Sequence, residues 1–411
     1  MRRPPRAPSA VLTILVGTVL GQGAVVAVSP VLTRTYSASD FGTLTVVTAI
    51  ASVLGAGAAL GTDRALAVAE PNHVRSLITV GFGATLLAGL LTAGVAWALR
   101  ESLAAWFRAP ALADLWWVLP VTTIAIAVQR ICSAVLARRR AHRALAVRNA
   151  CQGLGQTAWN LAMAFAGPIG LVGGLAAGRF AAVLGMLRPA AGLPSRRQVA
   201  QAASEHRRFL TLTPWSAMLN VVGQQAPGIV IAAVHGSAAA GFVALTMRVL
   251  GSPVGMVADA VSQYAAGAFG QRARSGSPIR PLLVRLTGRL LVAGGAGALV
   301  VLLAGPVLFG AVFGAEWQTA GSYARILAPA FAIQVAVSPV SQVLSMLGRQ
   351  TTQLVWDVAR LVSTTGAVLV PSVLGAPMPV VLAVLAAAMT ASYGAMLVLV
   401  LLVTKGTPAS P

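Results

Sequence analysis

An all-α integral membrane protein of about twelve transmembrane helices, arranged as two similar halves, is the fold that three observations on this 411-residue sequence predict. Hydrophobic residues make up 57% of the chain and charged residues only 9%, where an ordinary soluble domain carries about 25% charged residues. The apolar residues gather into repeated stretches of roughly 20, the length a helix needs to cross hydrocarbon. Finally, the arginines between those stretches alternate in density, as topology requires of loops on two sides of a membrane. Mean hydropathy is +0.81, and a soluble helical protein would need polar outer faces that are missing along nearly the whole chain.

Read in order, the apolar stretches bounded by charge, Gly or Pro lie near 11–33, 43–68, 76–98, 115–136, 146–166, 168–188, 209–233, 240–264, 287–308, 323–346, 351–371 and 379–404. The first follows Arg2 and Arg3, but it is longer than the roughly 7–15 apolar residues of a secretory signal peptide, and it reads as a retained helix. The formal charge of +21 does not signal nucleic acid, because the 30 basic residues are scattered in short clusters between apolar runs. Clusters of that kind follow topology. Cys132 and Cys151 sit in apolar surroundings and lack the partners that a disulfide framework or zinc site needs. No cofactor or metal site is expected.

With the N-terminus inside, the inner segments and span ends carry Arg75, then Arg138, Arg139, Arg140, Arg143 and Arg148, then Arg188, Arg196, Arg197, Arg207 and Arg208, then five arginines between Arg272 and Arg289, and last Arg349 and Lys405. The outer segments hold Arg34, Arg100, Arg108 and Arg325. The alternation runs through all twelve spans, so the sequence predicts a multi-pass membrane protein with both termini cytoplasmic. No outer loop exceeds about 18 residues on these boundaries, so chemistry or recognition is expected in or near the bilayer.

An internal repeat divides the chain. "LPVTTIAIAVQRICSAVLARRR" (119–140) and "APAFAIQVAVSPVSQVLSMLGR" (328–349) share a proline near the start and a closing arginine with no gap. "SPVLTRTYSASDFGTLTVVTAI" near residue 30 and "APGIVIAAVHGSAAAGFVALTM" near residue 227 both end a span, make a short polar turn and open the next span on a Gly/Phe pair. An offset of six spans preserves orientation, which predicts a parallel repeat, a recurrent transporter design. The expected domains are 1–190, a cytoplasmic linker at 191–208 holding Pro194, and 209–411.

Charge at membrane depth costs roughly 2.5–3.5 kcal/mol on insertion scales and persists where water, a partner or a ligand meets it. The cavity candidates are Arg34, Arg179, Arg248, Asp259, Asp357 and Arg360. Asp357 and Arg360, at i,i+3, share one helix face and are either a self-neutralising pair or part of a site. Arg34 has Asp40 nearby for a loop ion pair. Arg179 and Arg248 have no acidic residue within one or two turns, and each must look to another helix, water or a ligand. Arg130 and the Asp63-Arg64 pair are expected to snorkel to the inner interface. The excess of arginine over carboxylate favours an anionic passenger, because a planar guanidinium matches two phosphate oxygens and stays charged when dehydrated.

Three strings carry a family resemblance. "SPVLTRTYSASDFGTLTVVTAIASVLG" resembles the opening signature of bacterial polysaccharide-biosynthesis membrane proteins of the O-antigen flippase (Wzx-like) group, in which Leu-Thr-Arg-x-Tyr-Ser-x-x-Asp-Phe-Gly links the first two helices; here it falls on Leu32-Thr33-Arg34 through Asp40, Phe41 and Gly42. "AGFVALTMRVLGSPVGMVADAVSQ" (240–263) is similar to a second family string. "FGAEWQTAGSYARILAPAFAIQVAVSPVSQVLSMLGRQ" (313–350) looks like the family's Trp-x-x-Ala-Gly-x-Tyr motif, on Trp317, Ala320, Gly321 and Tyr323, leading into Pro329 and Pro339. Gly61-Thr62-Asp63-Arg64 departs from the Leu-Arg-Tyr-Glu that relatives often show, which puts a substrate role for Arg64 in doubt.

The resemblance implies the multidrug/oligosaccharidyl-lipid/polysaccharide (MOP) exporter superfamily, a MATE-like V of two six-helix bundles around a central cavity. It also implies a substrate, an oligosaccharide repeat unit on undecaprenyl pyrophosphate, turned from the inner to the outer leaflet. The basic inner mouth (Arg138, Arg139, Arg140, Arg207 and Arg208, with Arg196 and Arg197) would hold anionic headgroups, although topology alone also accounts for it. Other implied partners are membrane lipids, a polysaccharide polymerase and glycosyltransferases. H+ or Na+ are the coupling-ion candidates. The rival readings are a cation-coupled drug or metabolite exporter of the same fold, for which Asp259 is the candidate carboxylate, and a non-transport scaffold in polysaccharide export. An enzyme is disfavoured, because a metal-dependent transferase wants an inner-side acidic cluster and the inner loops are almost free of Asp and Glu.

Overall fold

Hydrocarbon offers no water to an open backbone, so a spanning segment must satisfy its own N–H and C=O groups, and in the computed structural model the described residues of the predicted spans are overwhelmingly α-helical. The backbone is described for residues 7–184, 194–274, 280–346 and 350–405, and the side chains of 7–12, 259–260, 262–274, 340–346, 350–351 and 405 fall outside the description. Two compact units result, Met1–Gly241 and Phe242–Pro411.

The first unit opens with α1 (Ala7–Thr35) and α2 (Ala38–Ala58), followed by the short α3 (Thr62–Val68) and the long α4 (Val74–Ala98). Two short helices, α5 (Arg100–Trp106) and α6 (Ala111–Asp114), lead to α7 (Val118–Arg138), α8 (His142–Ala162) and α9 (Pro168–Leu184). Next come α10 (Arg196–Glu205) and α11 (Arg207–His235), which packs on α2. Helix α12 (Ser237–Arg274) begins in the first unit and continues into the second, where α13 (Arg280–Phe313), α14 (Gln318–Met346), α15 (Gln350–Val373) and α16 (Met378–Lys405) follow.

Ten of these helices are long and apolar enough to cross a membrane, and they match ten of the twelve predicted spans. The fifth and sixth predicted spans are α8 and α9. The first carries Arg143, Arg148 and a run of Asn and Gln, and the second has only 17 residues.

Packing order repeats between the units. In the first, α4 packs on α7, α7 on α8 and α9, and α8 on α9; in the second, α13 packs on α14, α14 on α15 and α16, and α15 on α16. These are the same pairs at an offset of six spans. The core of the second unit gathers Leu283, Val337, Tyr393, Met396 and Val400.

Two boundaries differ from expectation. The second span, predicted over 43–68, ends at Ala58, and 62–68 form the separate α3. The break is a backbone event at Gly61, whose φ of +64° is left-handed and open to glycine at little steric cost. The predicted linker 191–208 is largely α10, capped by Ser195, whose hydroxyl accepts from the Gln198 N–H. Ala202 of α10 is buried among Leu66, Leu77 and Ile131, so this segment is part of the first unit's core.

Candidate functional site

The signature strings turn out to be joints. At the α1–α2 turn Ser37 is the N-cap of α2 and Asp40 its N3 residue: the Ser37 N–H donates to Asp40 Oδ2 at 2.9 Å, and the Asp40 N–H donates to Ser37 Oγ at 3.3 Å. Asp40 thus closes a capping box, a role expected of this spacing. This replaces the Arg34–Asp40 pair as the account of Asp40; Arg34 lies at the exposed end of α1. Tyr36, 2% exposed, donates its hydroxyl to the Asn160 carbonyl at 2.9 Å and so ties the turn to α8. Burial, with the Asp40 charge adding to it, pushes the Tyr36 phenol above its usual range.

Phe41 is 1% exposed, and Gly42 lies against the Ser237 carbonyl at the start of α12. Reciprocally, Gly241 lies against the Ala38 carbonyl at the start of α2. Each glycine is the fifth residue of its helix and meets the first residue of the other. The Ser39 and Ser237 hydroxyls, 2.9 Å apart, and a bond from Ser237 Oγ to the Arg108 carbonyl at 2.9 Å complete the crossing.

In the second unit the other two strings meet. Trp317, 1% exposed, stacks edge-on against Phe242 with centroids 5.5 Å apart, and Tyr323 approaches the same ring at 6.4 Å. Thr246 Oγ1 donates to the Ala320 carbonyl at 2.9 Å, and Gly321 allows α14 to touch α13 at Gly305 and Pro306. Pro329 and Pro339 both lie inside α14. These motif residues make joints between helices, and apart from Arg34 and Asp40 the charged candidates lie elsewhere.

A polar network inside the first unit is the feature that sequence reading missed. Arg148 of α8 donates through Nε to Asn149 Oδ1 at 3.0 Å and through Nη1 to Ser133 Oγ of α7. Asn149 Nδ2 donates to Thr18 Oγ1 of α1 at 2.7 Å, and Gln152 Oε1 accepts from Gln129 of α7. The sequence had placed Arg148 among topological arginines at the inner side. A signal was present: Arg148, Gln152, Gln156 and Asn160 repeat every four residues, a single helix face, in the least apolar of the predicted spans.

The partners of Arg148 here are neutral amide and hydroxyl groups, so its charge is oriented without being cancelled. One helix away, Arg179 of α9 donates Nη1 to the Leu175 carbonyl at 3.2 Å, and its buried Nε has no hydrogen-bond partner. The helices here pack closely. Gly21 of α1 and Gly153 of α8 lie backbone to backbone, where a Cβ on either would collide.

Arg130 meets Asp63, which was expected at the same inner interface. Its Nη2 donates to Asp63 Oδ2 of α3 at 2.7 Å, a charge pair only partly open to water. Arg138, expected at the inner mouth, donates Nη1 to the Leu66 carbonyl at 2.8 Å and so fastens α7 to α3. Arg139, Arg140, Arg196, Arg197, Arg207 and Arg208 are exposed.

In the second unit, Arg248 is partly buried within α12, and Asp259 lies outside the residues whose side chains are described. Asp357 and Arg360 approach to 3.8 Å, at the limit of an ion pair. The Arg360 guanidinium lies over the Trp356 ring at 5.2 Å, and its Nε is buried without a hydrogen-bond partner. Trp356 is held in turn by a 2.7 Å bond from its Nε1 to the Ser392 carbonyl of α16. Among the described side chains, Asp357 is the one carboxylate inside a long apolar helix away from its ends. Against it stand Arg130, Arg148, Arg179, Arg248 and Arg360.

Among the described residues no group of three or more His, Cys, Asp or Glu side chains could hold a metal ion. Both cysteines are free thiols, with Cys132 buried.

Comparison with known proteins agrees with this picture. Among curated proteins none matches the sequence. Among solved structures the chain is similar to the lipid II flippase MurJ in an inward closed conformation, at a TM-score of 0.73 and 13% identity over 98% of this chain and 88% of that one. It is also similar to an inward-facing multidrug resistance MATE family transporter of the MOP superfamily, at 0.64 and 15% over 97% and 98%. A MOP superfamily transporter from Pyrococcus furiosus, described as having a reversed polarity of its binding pocket, matches at 0.55 and 14% over 97% and 96%. At these identities the likeness is one of fold: the all-α, multi-spanning fold of MOP transporters. The family model described as "Polysaccharide biosynthesis protein" matches residues 31–322, and the chain is a polytopic membrane protein belonging to that polysaccharide biosynthesis family.

Proposed function

We propose that the protein is a flippase of the O-antigen (Wzx-like) kind. It turns an oligosaccharide repeat unit on a polyprenyl pyrophosphate carrier from the inner to the outer leaflet of the bacterial plasma membrane. In this reading both termini are cytoplasmic, and the two halves, 1–190 and 209–411 joined through the 191–208 segment, alternate access to the two sides. The observation that carries the proposal is the sign of the charge at depth. Arg148, held by neutral partners, and Arg179, with a buried unpartnered Nε, sit in a bundle whose long helices hold no interior carboxylate among the described residues.

A guanidinium kept charged in a poorly hydrated place attracts an anion and presents paired donors to its oxygens. An exporter of organic cations would need the opposite sign. Membership of a polysaccharide biosynthesis family supports a glycan passenger, and a pyrophosphate head supplies the anion. Arg139, Arg140, Arg207 and Arg208 would gather such heads at the inner surface, each contributing on the order of 1 kcal/mol.

The test is depletion of the protein in its own cells, followed by leaflet-resolved detection of the lipid-linked repeat unit. The unit should accumulate on the inner leaflet while surface polymer declines, and expression of the wild-type chain should reverse both. Unchanged lipid-linked intermediates would refute the proposal, and gradient-driven extrusion of organic cations by vesicles holding the protein would establish the rival exporter.

A further inference from the structure

Arg148 is held in one orientation by acceptors that bring no charge. Helices α1, α7 and α8 converge on it, and none of the three contains an Asp or Glu. Ser133 Oγ gives its proton to the Gln129 carbonyl, and Thr18 Oγ1 gives its proton to the Ile14 carbonyl at 3.0 Å. A hydroxyl whose single proton is committed can only accept. Ser133 therefore accepts from Arg148, and Thr18 accepts the Asn149 amide at 2.7 Å, which obliges Asn149 to turn its Oδ1 to the guanidinium. Packing keeps this register. Gly17 and Gly21, before and after Thr18, lie against the Ala146 and Asn149 carbonyls of α8, where a Cβ would collide.

Two donors of the guanidinium are left over. The group has five N–H bonds. Asn149 Oδ1 accepts from Nε and from Nη2, and Ser133 Oγ accepts from Nη1, so one N–H on each terminal nitrogen meets no acceptor among the described residues. One turn along the same face of α8, Gln152 gives its Oε1 to Gln129 at 2.5 Å, and its own NH2 likewise meets no acceptor there. A partly buried cation with unspent donors and no counter-charge on its own or the adjoining helices matches an oxyanion, which supplies both acceptors and charge.

We propose that Arg148 is a preformed clamp for a phosphoryl oxyanion of the carrier lipid, and that Asn149, Thr18 and Ser133 are its positioning residues; the inference rests on the flippase reading above. The neutrality of Asn149 is what keeps the clamp open. A carboxylate in its place would hold the arginine as firmly and cancel its charge. A merely structural joint between α1, α7 and α8 would gain from that carboxylate; an anion clamp loses its ligand.

The experiment measures binding of radiolabelled farnesyl diphosphate, and of farnesol, to the full-length protein in detergent, beside its thermal midpoint. Asn149→Asp should melt at or above the wild-type temperature, bind the diphosphate about tenfold more weakly and leave farnesol binding unchanged. Thr18→Val releases the Asn149 amide to turn and should weaken diphosphate binding about threefold, and Thr18→Ser should restore it.

Wild-type affinity in Asn149→Asp overturns the proposal, as does a wild type that prefers the diphosphate no more than farnesol. Where Asn149→Asp does not fold, equal affinity in Thr18→Val and Thr18→Ser overturns it. Any of these results in a protein that still delivers lipid-linked repeat units removes the clamp and spares the flippase reading. The predicted binding pattern, in cells whose lipid-linked intermediates are unchanged on depletion, supports the clamp and overturns that reading. Displacement of the label by inorganic pyrophosphate as effectively as by unlabelled farnesyl diphosphate keeps the clamp and overturns the lipid as its ligand.

Discussion

Arg130 and Asp63, 67 residues apart in sequence, meet at 2.7 Å and hold α7 to the short α3. Both groups keep some water, with 32% and 15% of the side chain exposed, so the pair lies between the surface case and the fully buried one. Replacing Asp63 with Asn leaves the arginine without its counter-charge, and the loss should be about 1–3 kcal/mol, below the 3–5 of a fully buried pair. Thermal denaturation of the detergent-solubilised protein should show a lower midpoint for Asp63→Asn. Much of that loss should return in the double variant with Arg130→Met, and a double variant as unstable as the single one would show that the pair is not what holds α3.

The reciprocal contact of Gly42 with Ser237 and Gly241 with Ala38 leaves no space for a methyl group on either side. Gly42→Ala and Gly241→Ala should each destabilise by about 1–3 kcal/mol, the usual cost of overpacking, and lower the amount of folded protein in membranes. Gly83→Ala is the control, because a Cβ there meets nothing within 4 Å. Membrane abundance and size-exclusion profiles of the three variants check the expectation, and equal behaviour of all three would refute it.

Trp317 is among the largest fully buried side chains and packs on Phe242. Trp317→Ala should cost about 3–5 kcal/mol, as large aromatic truncations do. Trp317→Phe, which keeps the edge-on ring contact, should cost clearly less. Chemical denaturation of the purified protein orders the three.

Arg148 carries the clearest functional prediction. Arg148→Gln keeps an amide donor near the Nε position for Asn149 and removes the charge and the reach to Ser133, and the membrane level, measured beside activity, should stay close to that of the wild type. Delivery of repeat units to the outer leaflet should fall at least about tenfold, the loss of one charge-assisted interaction. Arg148→Lys keeps the charge without the planar fork and should recover part of the activity. Full activity of Arg148→Gln would remove this residue from the transport path.

The residues themselves announced the membrane fold, because hydrophobic length and the spacing of arginines are properties of the linear chain, and bilayer thickness reads them without further folding. The repeat was legible for the same reason: 119–140 and 328–349 align without a gap, and α7 and α14 occupy matching places in the packing of their units. The signature strings were visible too, but their work was not. Asp40 looked like a partner for Arg34, and it is the cap of α2, since the backbone N–H of Ser37, three residues away, is held beside its carboxylate by the turn itself.

Partnerships across long sequence distances were hidden. Nothing near Arg130 in the chain points to Asp63, nothing near Arg138 to the Leu66 carbonyl, and the link from Thr18 through Asn149 and Arg148 to Ser133 exists because three helices converge there. Composition and periodicity are enough to say which segments enter a bilayer, whose demands are uniform along each helix. Which polar groups meet inside it depends on crossing points such as Gly21 against Gly153, where two backbones touch and neighbouring side chains are brought within hydrogen-bond reach. That information is held by three-dimensional packing, because each contact needs two segments positioned at once.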